Sequence, residues 1–165
     1  MIVSADDFRQ VLSRFASGVT VVSARDTAKN PIGVTVSAFS SVSLDPPLIL
    51  ICLDNATFNL QNYTDGGAFA VNILSSEQGD VSNAFAFPGP LPPFEQVTYS
   101  EGELGLPLID GALASIQCKT HAVHPGGDHV IIVGLVQHAK WQPHINPLIY
   151  AGGQYRAITE LGTEG

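Results

Sequence analysis

The sequence is poor in cysteine and lacks a long apolar run. Cys52 and Cys118 are the only cysteines in 165 residues, too few for the disulfide framework of a small secreted protein. Both lie within apolar, strand-like segments, so we expect two buried thiols in a cytoplasmic protein. The N-terminal residues lack the charged and apolar regions of a secretion signal, and no window approaches about 18 uncharged apolar residues. The sequence therefore predicts neither a signal peptide nor a membrane span.

Basic residues are also scarce. The chain has 7 Lys and Arg against 15 Asp and Glu, for a formal net charge of −8. It lacks the positive field that attracts nucleic acid or an anionic membrane, so neither partner is expected. An anionic ligand would have to be held locally, by backbone N–H groups, hydroxyls or a few placed cations. Because 45% of the residues are hydrophobic and only 13% are charged, a homo-oligomer is favoured over a monomer.

Common catalytic motifs are missing as well. There is no G-x-G-x-x-G, P-loop, G-x-S-x-G, C-x-x-C pair or H-E-x-x-H. His121, His124 and His129 are close in sequence, but a Gly-Gly turn interrupts them and no Cys or carboxylate pair accompanies them, so no metal site is predicted. No neighbour in the sequence would activate Cys52 as a nucleophile. The residues themselves therefore indicate no conventional catalytic centre.

The most informative stretch of the chain runs from Ile32 to Leu53. Between Gly33 and Ser43 small hydroxyl residues alternate with apolar ones, whereas Leu48–Leu53 is continuously apolar. Both patterns are typical of strands. Asp45-Pro46-Pro47 separates the two halves, and because proline removes a backbone donor and fixes φ, we expect an antiparallel hairpin or a sheet corner there.

Hydroxyl side chains follow one face of the first half. Because side chains alternate along a strand, Thr35, Ser37 and Ser41 can share this face. Ser and Thr are also common on the solvent face of a barrel strand, so periodicity alone leaves ligand binding open.

Hydrophobic periodicity and turn residues predict the remaining elements. Helices are expected from Ser4 to near Gly18, from Thr57 to Tyr63 with Gly66-Gly67 at its end, and from Ser75 or Ser76 to about Phe85. Strands are expected at Val19–Ala24, Ala68–Leu74, Leu113–Val123, Val130–Trp141, Pro147–Tyr150 and Gln154–Arg156. The proline-rich segment Pro88–Pro93 is expected to be irregular.

These elements suit one domain over residues 1–165. Six or more strands with few, short helices predict a mainly β fold, an antiparallel barrel with helical decoration. A doubly wound parallel sheet would need several longer helices between its strands.

Four segments carry a resemblance to a known family. They are Phe15–Val22 (FASGVTVV), Gly33–Leu48 (GVTVSAFSSVSLDPPL), Phe69–Leu74 (FAVNIL) and Gly127-Asp128-His129. In this order they resemble the short-chain flavin reductases, which are flavin-reductase-like proteins of the FMN-binding split-barrel family. The resemblance implies a split β-barrel, antiparallel and of Greek-key type. It also implies a homodimer that binds FMN or FAD, accepts hydride from NADH or NADPH, and passes reduced flavin to a partner monooxygenase.

The resemblance further implies where the ligands bind. The wall that meets the flavin ring would comprise Thr35, Val36, Ser37, Ala38 and Ser41. The turn that approaches the ribityl chain and phosphate would comprise Cys52, Leu53, Asp54, Asn55, Thr57 and Phe58. The nicotinamide would lie near His129 and Tyr155. No catalytic side chain is expected, because the flavin itself carries the hydride.

The sequence departs from the family pattern at two places. Many relatives have a basic residue after the Cys52 strand, whereas Asp54-Asn55-Ala56-Thr57 offers an acid and an amide. Phosphate capture would therefore rest on Thr57, Asn55, helix N-terminal N–H groups and the distant Arg14 or Lys119. Gln154 stands where relatives often carry Arg, so a preference for NADPH is not predicted. A loosely held flavin is consistent with a reductase that treats flavin as a substrate.

Two alternative functions remain at this level. One is a flavin-binding electron-transfer or carrier protein without free-flavin turnover, for which the same barrel would serve. The other is a non-flavin barrel that binds a different phosphorylated or haem-like ligand.

Overall fold

The computed structural model describes residues 2–65, 67–87 and 89–159. The helices are α1 (Ala5–Leu12), α2 (Gln61–Thr64), α3 (Gly79–Ala86) and α4 (Pro93–Gln96). The first six strands are β1 (Ser17–Gly18), β2 (Thr20–Arg25), β3 (Pro31–Val36), β4 (Phe39–Leu44), β5 (Pro47–Asp54) and β6 (Ala68–Ile73). The other six are β7 (Tyr99–Glu101), β8 (Pro107–Ile109), β9 (Ala114–Gly126), β10 (His129–Trp141), β11 (Ile149–Ala151) and β12 (Gln154–Arg156).

Seven strands form one antiparallel sheet in the order β3-β2-β6-β9-β10-β5-β4. Its two ends approach each other where the Cys52 N–H donates to the Ala38 carbonyl, 3.0 Å away. The sheet thus curves into a barrel, and the predicted mainly β, antiparallel barrel with short helices is confirmed. A smaller sheet, β1-β11-β12, and the β7–β8 hairpin complete the described strands.

Both faces of the sheet are buried at its centre. Val21 and Val22 are neighbours on β2 and therefore point to opposite faces, yet each is 0% exposed. Val22 packs inside the barrel with Phe69 and Ile132. Val21 packs outside it, in a second cluster that includes Phe85 of α3. Because both faces are covered, the polar Thr20 and Ser23 of β2 are buried as well, and each makes a hydrogen bond to a backbone carbonyl.

A buried amide joins the central strands to the β7–β8 hairpin. Asn72 of β6 donates to the Val21 carbonyl at 3.1 Å and to Ser23 Oγ at 3.0 Å. Its Oδ1 accepts from the Ile109 N–H at 3.1 Å and from Ser115 Oγ at 3.2 Å. The side chain is fully buried, and these partners satisfy its polar atoms as a core position requires.

The predicted single strand from Gly33 to Ser43 is wrong, because a turn at Ser37 and Ala38 divides it into β3 and β4. There the Phe39 N–H donates to the Ser37 carbonyl at 3.0 Å in a tight turn. The turn contains no glycine or proline, and its only trace in the sequence is the adjacent apolar pair Ala38-Phe39, where the alternation slips by one residue. β3 precedes the turn at one edge of the sheet and β4 follows it at the other. The predicted hairpin at Asp45-Pro46-Pro47 is confirmed as the β4–β5 connection, with a cis Asp45–Pro46 peptide.

The barrel is split between β3 and the end of β5. Pairing of β4 with β5 ends at Phe39 opposite Ile51, whereas β5 runs on to Asp54 beside β10 alone. An opening remains between the last residues of β5 and the edge of β3. We refer to this opening as the split.

Several other boundaries differ from the predicted ones. α1 ends at Leu12 rather than near Gly18, since Ser17–Gly18 pairs with β11 instead. Ser75 does not cap α3. Its N–H donates to Gln78 Oε1 at 3.0 Å, and Gln78 is the N-cap residue of the helix, which begins at Gly79. The predicted 57–63 helix is a turn followed by α2, and α4 begins within the proline-rich segment. Gly66 and Pro88 lie outside the described residues.

The long predicted hairpin near the C-terminus is confirmed as β9–β10, with its loop reduced to Gly127 and Asp128. The β7–β8 hairpin was not predicted, because its strands have only three residues each. None of the helices in the described part of the chain is long and apolar enough to cross a bilayer.

Gly134 of β10 is where the barrel interior leaves no room for a side chain. A Cβ there would lie 2.6 Å from Phe69 Cζ and 2.9 Å from Cys118 Cβ. We expect Gly134→Ala to lower the free energy of unfolding by about 1–3 kcal/mol through overpacking, as measured by urea denaturation. Gly18→Ala is the matched control, because its Cβ would meet nothing within 4 Å. Equal stability of the two variants would contradict this packing.

Candidate functional site

A cavity of about 200 Å³ occupies the split. Its walls come from three elements, the end of β3, the end of β5 and the β9–β10 turn, and comprise Val34, Thr35, Val36, Ser37, Ala38, Cys52, Leu53, Asp54, Thr57 and His129. We term it the split cavity. β3 is an edge strand, so alternate backbone N–H and C=O groups along it face away from β2 and are available to a ligand.

A second cavity, of about 160 Å³, shares part of its lining with the split cavity. Its lining is Val19, Thr35, Ser37, Ser82, Ala86, Phe87, Tyr150 and Tyr155. Because three aromatic rings line it, we term it the aromatic cavity. Thr35 and Ser37 contribute to both cavities, and we term this stretch at the end of β3 the shared wall.

The split cavity brings together most of the residues that the family resemblance implied. Those that line it are Thr35, Val36, Ser37, Ala38, Cys52, Leu53, Asp54, Thr57 and His129. Tyr155 lines the aromatic cavity instead. Ser41 lies on β4, after the turn at Ser37 and Ala38, and pairs with Ile49 of β5. The expectation that it shares a face with Thr35 and Ser37 is therefore wrong. Phe58 is 78% exposed and lines neither cavity.

The two hydroxyls of the shared wall differ in what they can offer. Thr35 Oγ1 donates its proton to the Ser82 carbonyl at 2.6 Å, so towards a ligand it can act only as an acceptor. The Ser37 hydroxyl makes no hydrogen bond within the described residues, so it remains free both to donate and to accept. The wall therefore presents an acceptor and a donor two residues apart.

The β9–β10 turn is fastened beside the cavity by Asn55. The Asn55 N–H donates to the Asp128 carbonyl at 2.9 Å, and its Nδ2 donates to the Gly127 carbonyl at 3.2 Å. Asp128 Oδ1 in turn lies 2.7 Å from His129 Nδ1. This hydrogen bond and the charge of His129 lower the pKa of the Asp128 carboxyl below its ordinary value. The contact engages Nδ1 of the imidazole, and Nε2 has no hydrogen-bond partner within the described residues.

Sequence reasoning missed the contribution of α3 and the residue after it. Ser82, Ala86 and Phe87 line the aromatic cavity, but the pattern of this segment predicts only an ordinary amphipathic helix. The one available signal for a ligand-facing residue was Phe87. It directly precedes a proline and a glycine, where the chain is expected to be at the surface and an aromatic side chain to be exposed. Tyr150 was likewise assigned only to a short strand.

A larger cavity, of about 850 Å³, lies elsewhere and contains none of the predicted site residues. Its most prominent cation, Arg25, already has protein partners: Nε donates to the Gly105 carbonyl at 2.6 Å and Nη1 donates to the Lys29 carbonyl at 2.9 Å. We therefore place the candidate site by its chemistry rather than by volume. Within the described residues, no group of three or more His, Cys, Asp or Glu side chains is arranged to hold a metal.

Residues 12–159 match the family described as the flavin reductase like domain. The chain belongs to this family. The predicted family is thus confirmed, and the barrel split between β3 and β5 is the fold expected of a flavin-reductase-like domain.

Individual relatives agree with this assignment. A probable flavin reductase of Rhizobium meliloti (strain 1021) is 44% identical over 147 residues, which cover 89% of this chain and 47% of that protein. The reductase component of 4-hydroxyphenylacetate 3-monooxygenase from Thermus thermophilus is 40% identical over 151 residues, or 92% of this chain and 95% of that protein. This flavin-reductase-like chain thus spans about half the length of the first relative and nearly all of the second.

The solved structures give the same result. The NADH:FAD oxidoreductase SgcE6 of Streptomyces globisporus C-1027, in complex with NAD and FAD fragments, superposes with a TM-score of 0.88 at 36% sequence identity. The match covers 96% of this flavin-reductase-like chain and 97% of SgcE6. The predicted split-barrel fold is therefore confirmed along nearly the whole chain.

The residues of the split cavity fit a flavin. An isoalloxazine ring is flat, with apolar faces and polar edges, and such sites are typically apolar with a few placed polar groups. Val34, which is only partly buried, supplies apolar surface, while Thr35, Ser37 and Thr57 supply hydroxyls. The flavin-reductase-like fold therefore offers a chemically suitable slot at the split.

Cys52 provides a direct probe of this slot. Its thiol lines the split cavity and is partly exposed, whereas Cys118 is fully buried and burial raises its pKa to about 12. We expect one thiol per folded chain to react quickly with a maleimide, and added FMN to slow this reaction by covering Cys52. Mass spectrometry would follow the labelling, with Cys52→Ser as the control that removes the rapid phase. A labelling rate that saturating FMN leaves unchanged would exclude Cys52 from the flavin site.

Proposed function

We propose that this protein is an NAD(P)H:flavin oxidoreductase, which uses NADH or NADPH to reduce FMN or FAD and delivers the reduced flavin to a partner monooxygenase. The observation that carries the proposal is the split cavity, where a hydroxyl-bearing edge strand, the end of β5 and the His129 turn converge. The names of the relatives support reduction of flavin over the carrier alternative.

Within the site, each wall has a proposed task. The β3 end, from Thr35 to Ala38, binds the isoalloxazine ring through backbone groups and the acceptor and donor hydroxyls. Cys52, Leu53, Asp54 and Thr57 meet the ribityl chain and phosphate. Asn55 acts by holding the Gly127–Asp128 turn in place. We do not assign Ser41 and Phe58 a contact within one chain, because they lie outside both cavities.

A bound flavin supplies the hydride acceptor, so this chain needs no acid–base group of its own. What the residues contribute is geometry: hydride transfer needs the donor carbon held about 3–3.5 Å from its acceptor. His129 is suited to bind the nicotinamide, because it lines the split cavity and Asp128 engages its Nδ1, so that Nε2 remains for a ligand. The ring of Tyr155 supplies a second aromatic surface across the shared wall.

We further propose that residues 1–165 form a single domain that assembles as a cytoplasmic homodimer. The two free cysteines support a reducing compartment. α1 supports the dimer, because it buries none of its side chains against its own chain. Phe8, Val11, Leu12 and the nearby Phe15 are all exposed, and such an apolar stripe is stabilised by a second subunit.

The activity is tested by following NADH oxidation under air with and without added FMN or FAD. We expect turnover that rises with flavin concentration, and the flavin that supports the faster turnover is the preferred substrate.

His129→Ala is expected to raise the KM for NADH about fivefold, the effect of one lost hydrogen bond, with little change in the KM for flavin. The double variant Thr35→Val with Ser37→Ala should show the opposite pattern.

A yellow protein without flavin-dependent turnover would instead favour the carrier. A colourless protein that is inactive with both flavins would overturn the proposal of a flavin site altogether.

The dimer is tested by light scattering. We expect a mass of twice the 17.4 kDa chain, and we expect Phe8→Glu with Leu12→Glu to yield the monomer, because two charges then interrupt the apolar stripe of α1. The fold should survive, since α1 has no buried residue. Gln10→Glu, on the polar side of the same helix, is the matched control. A wild-type protein that is monomeric at micromolar concentration would refute the dimer.

A further inference from the structure

A continuous path of hydrogen bonds joins the C-terminal hairpin to the shared wall of the two cavities. Tyr155 Oη lies 2.8 Å from Ser82 Oγ and 2.9 Å from Asn83 Oδ1, both on α3. The carbonyl of the same Ser82 accepts the 2.6 Å bond from Thr35 Oγ1. Ser82 is only 1% exposed, so water cannot readily replace these partners, and hydrogen bonds in such surroundings are stronger than in water.

The Tyr155 hydroxyl can satisfy both of its α3 contacts at once. A phenol oxygen has one proton to donate and lone pairs to accept with. One contact therefore uses the phenol as donor and the other uses it as acceptor, and the hydroxyl is occupied by α3. This leaves the aromatic ring of Tyr155, rather than its hydroxyl, for the aromatic cavity.

The position of the Tyr155 ring does not depend on its hydroxyl alone. The ring lies against the start of α3, where a Cβ on Gly79 would be 3.6 Å from it. It also stacks edge-on with Tyr150 at a centroid distance of 5.8 Å. The hairpin that carries both tyrosines is tied to the N-terminal segment, because Tyr150 pairs with Ser17 and the Gly152 N–H donates to the Ser13 carbonyl at 2.7 Å. Removal of the hydroxyl should therefore leave the ring in place.

We propose that the Tyr155 hydroxyl is a positioning group for flavin binding, which acts through Ser82 on Thr35. By holding the middle of α3, it fixes the carbonyl to which Thr35 donates, and so fixes the direction in which the Thr35 oxygen offers its lone pairs to the flavin ring. This inference rests on the proposed function and deepens it. It gives the two parts of Tyr155 separate tasks, with the ring facing the nicotinamide side and the hydroxyl serving the flavin side.

The test is the affinity for flavin, which requires no turnover. Purified wild type, Tyr155→Phe and Tyr99→Phe would be titrated into FMN and FAD while the flavin fluorescence is followed. Tyr99→Phe is the matched control: it makes the same chemical change on a ring that packs on Phe94 outside both cavities and whose hydroxyl has no hydrogen bond within the described residues. We expect Tyr155→Phe to raise the Kd for flavin about threefold to tenfold, and Tyr99→Phe to leave it unchanged.

A double-mutant cycle separates positioning from a general loss of stability. Ser82→Ala keeps the carbonyl that Thr35 uses but removes the hydroxyl that meets Tyr155, so it should raise the Kd in the same direction. If the two residues act through one path, the double variant should be no weaker than the worse single variant. Additive losses, or a Kd that follows the melting temperature of each variant rather than the Tyr155–Ser82 contact, would overturn the proposal.

The kinetic constants distinguish failure of this inference from failure of the proposed function. We expect Tyr155→Phe to raise the KM for flavin while the KM for NADH stays within about twofold. If the KM for NADH alone rises, the hydroxyl serves the nicotinamide directly and the inference is wrong. If wild type binds flavin but does not oxidise NADH, the reductase proposal fails and the titration still decides the role of Tyr155. A wild-type chain that binds no flavin overturns both.

Discussion

Two backbone hydrogen bonds at the turn between β3 and β4 determine where a ligand can enter this barrel. The Phe39 N–H closes the turn on the Ser37 carbonyl, and the Cys52 N–H joins the next carbonyl to β5. Together they move the chain from one edge of the sheet to the other. On the β4 side of this turn, the β4–β5 ladder closes the barrel. On the β3 side, β3 and the end of β5 separate, and the space between them is the split cavity.

The wall beside this space is held from two independent directions. On one side, Asn55 fastens the turn that carries His129 through a backbone and a side-chain donor. On the other side, the Ser82 carbonyl of α3 accepts a hydrogen bond from Thr35, and the Ser82 hydroxyl is hydrogen-bonded to Tyr155. Groups fixed before a ligand arrives lose little conformational entropy on binding, which favours affinity without additional contacts. A small protein with few charged groups thereby obtains an ordered site from hydroxyls, amides and backbone.

Local sequence signals were sufficient for those elements that local chemistry specifies. The Asp45-Pro46-Pro47 connection and the long β9–β10 hairpin were predictable from proline, glycine and hydrophobic pattern. The flavin-binding wall from Thr35 to Ala38 was predicted from the family resemblance, and these residues line one cavity. The turn at Ser37 and Ala38 was not predicted, because it contains no glycine or proline and its only signal is the adjacent apolar pair Ala38-Phe39, where the alternation slips by one residue. For this reason Ser41 was grouped with Thr35 although the two lie on different strands.

The parts of the site that escaped prediction depend on contacts between residues distant in sequence. Thr35 and Ser82 are separated by 47 residues, and Tyr155 and Ser82 by 73. The contact of Asn55 was equally unpredictable. From the sequence its amide was assigned to the flavin phosphate, whereas in the structure Nδ2 donates to the Gly127 carbonyl. Such partnerships arise only when the barrel closes.

The acidic character of the chain has a consequence for the time a flavin spends on it. Among the described residues that line the two cavities there is no Lys or Arg, and the chain as a whole carries a formal charge of −8. Under the proposed function, a flavin phosphate would approach against the long-range field, which slows association. Neutral hydrogen bonds, each worth about 1 kcal/mol, would then hold it in place of charge-assisted ones. A short residence would follow, and a flavin that leaves soon after reduction would be available to another protein.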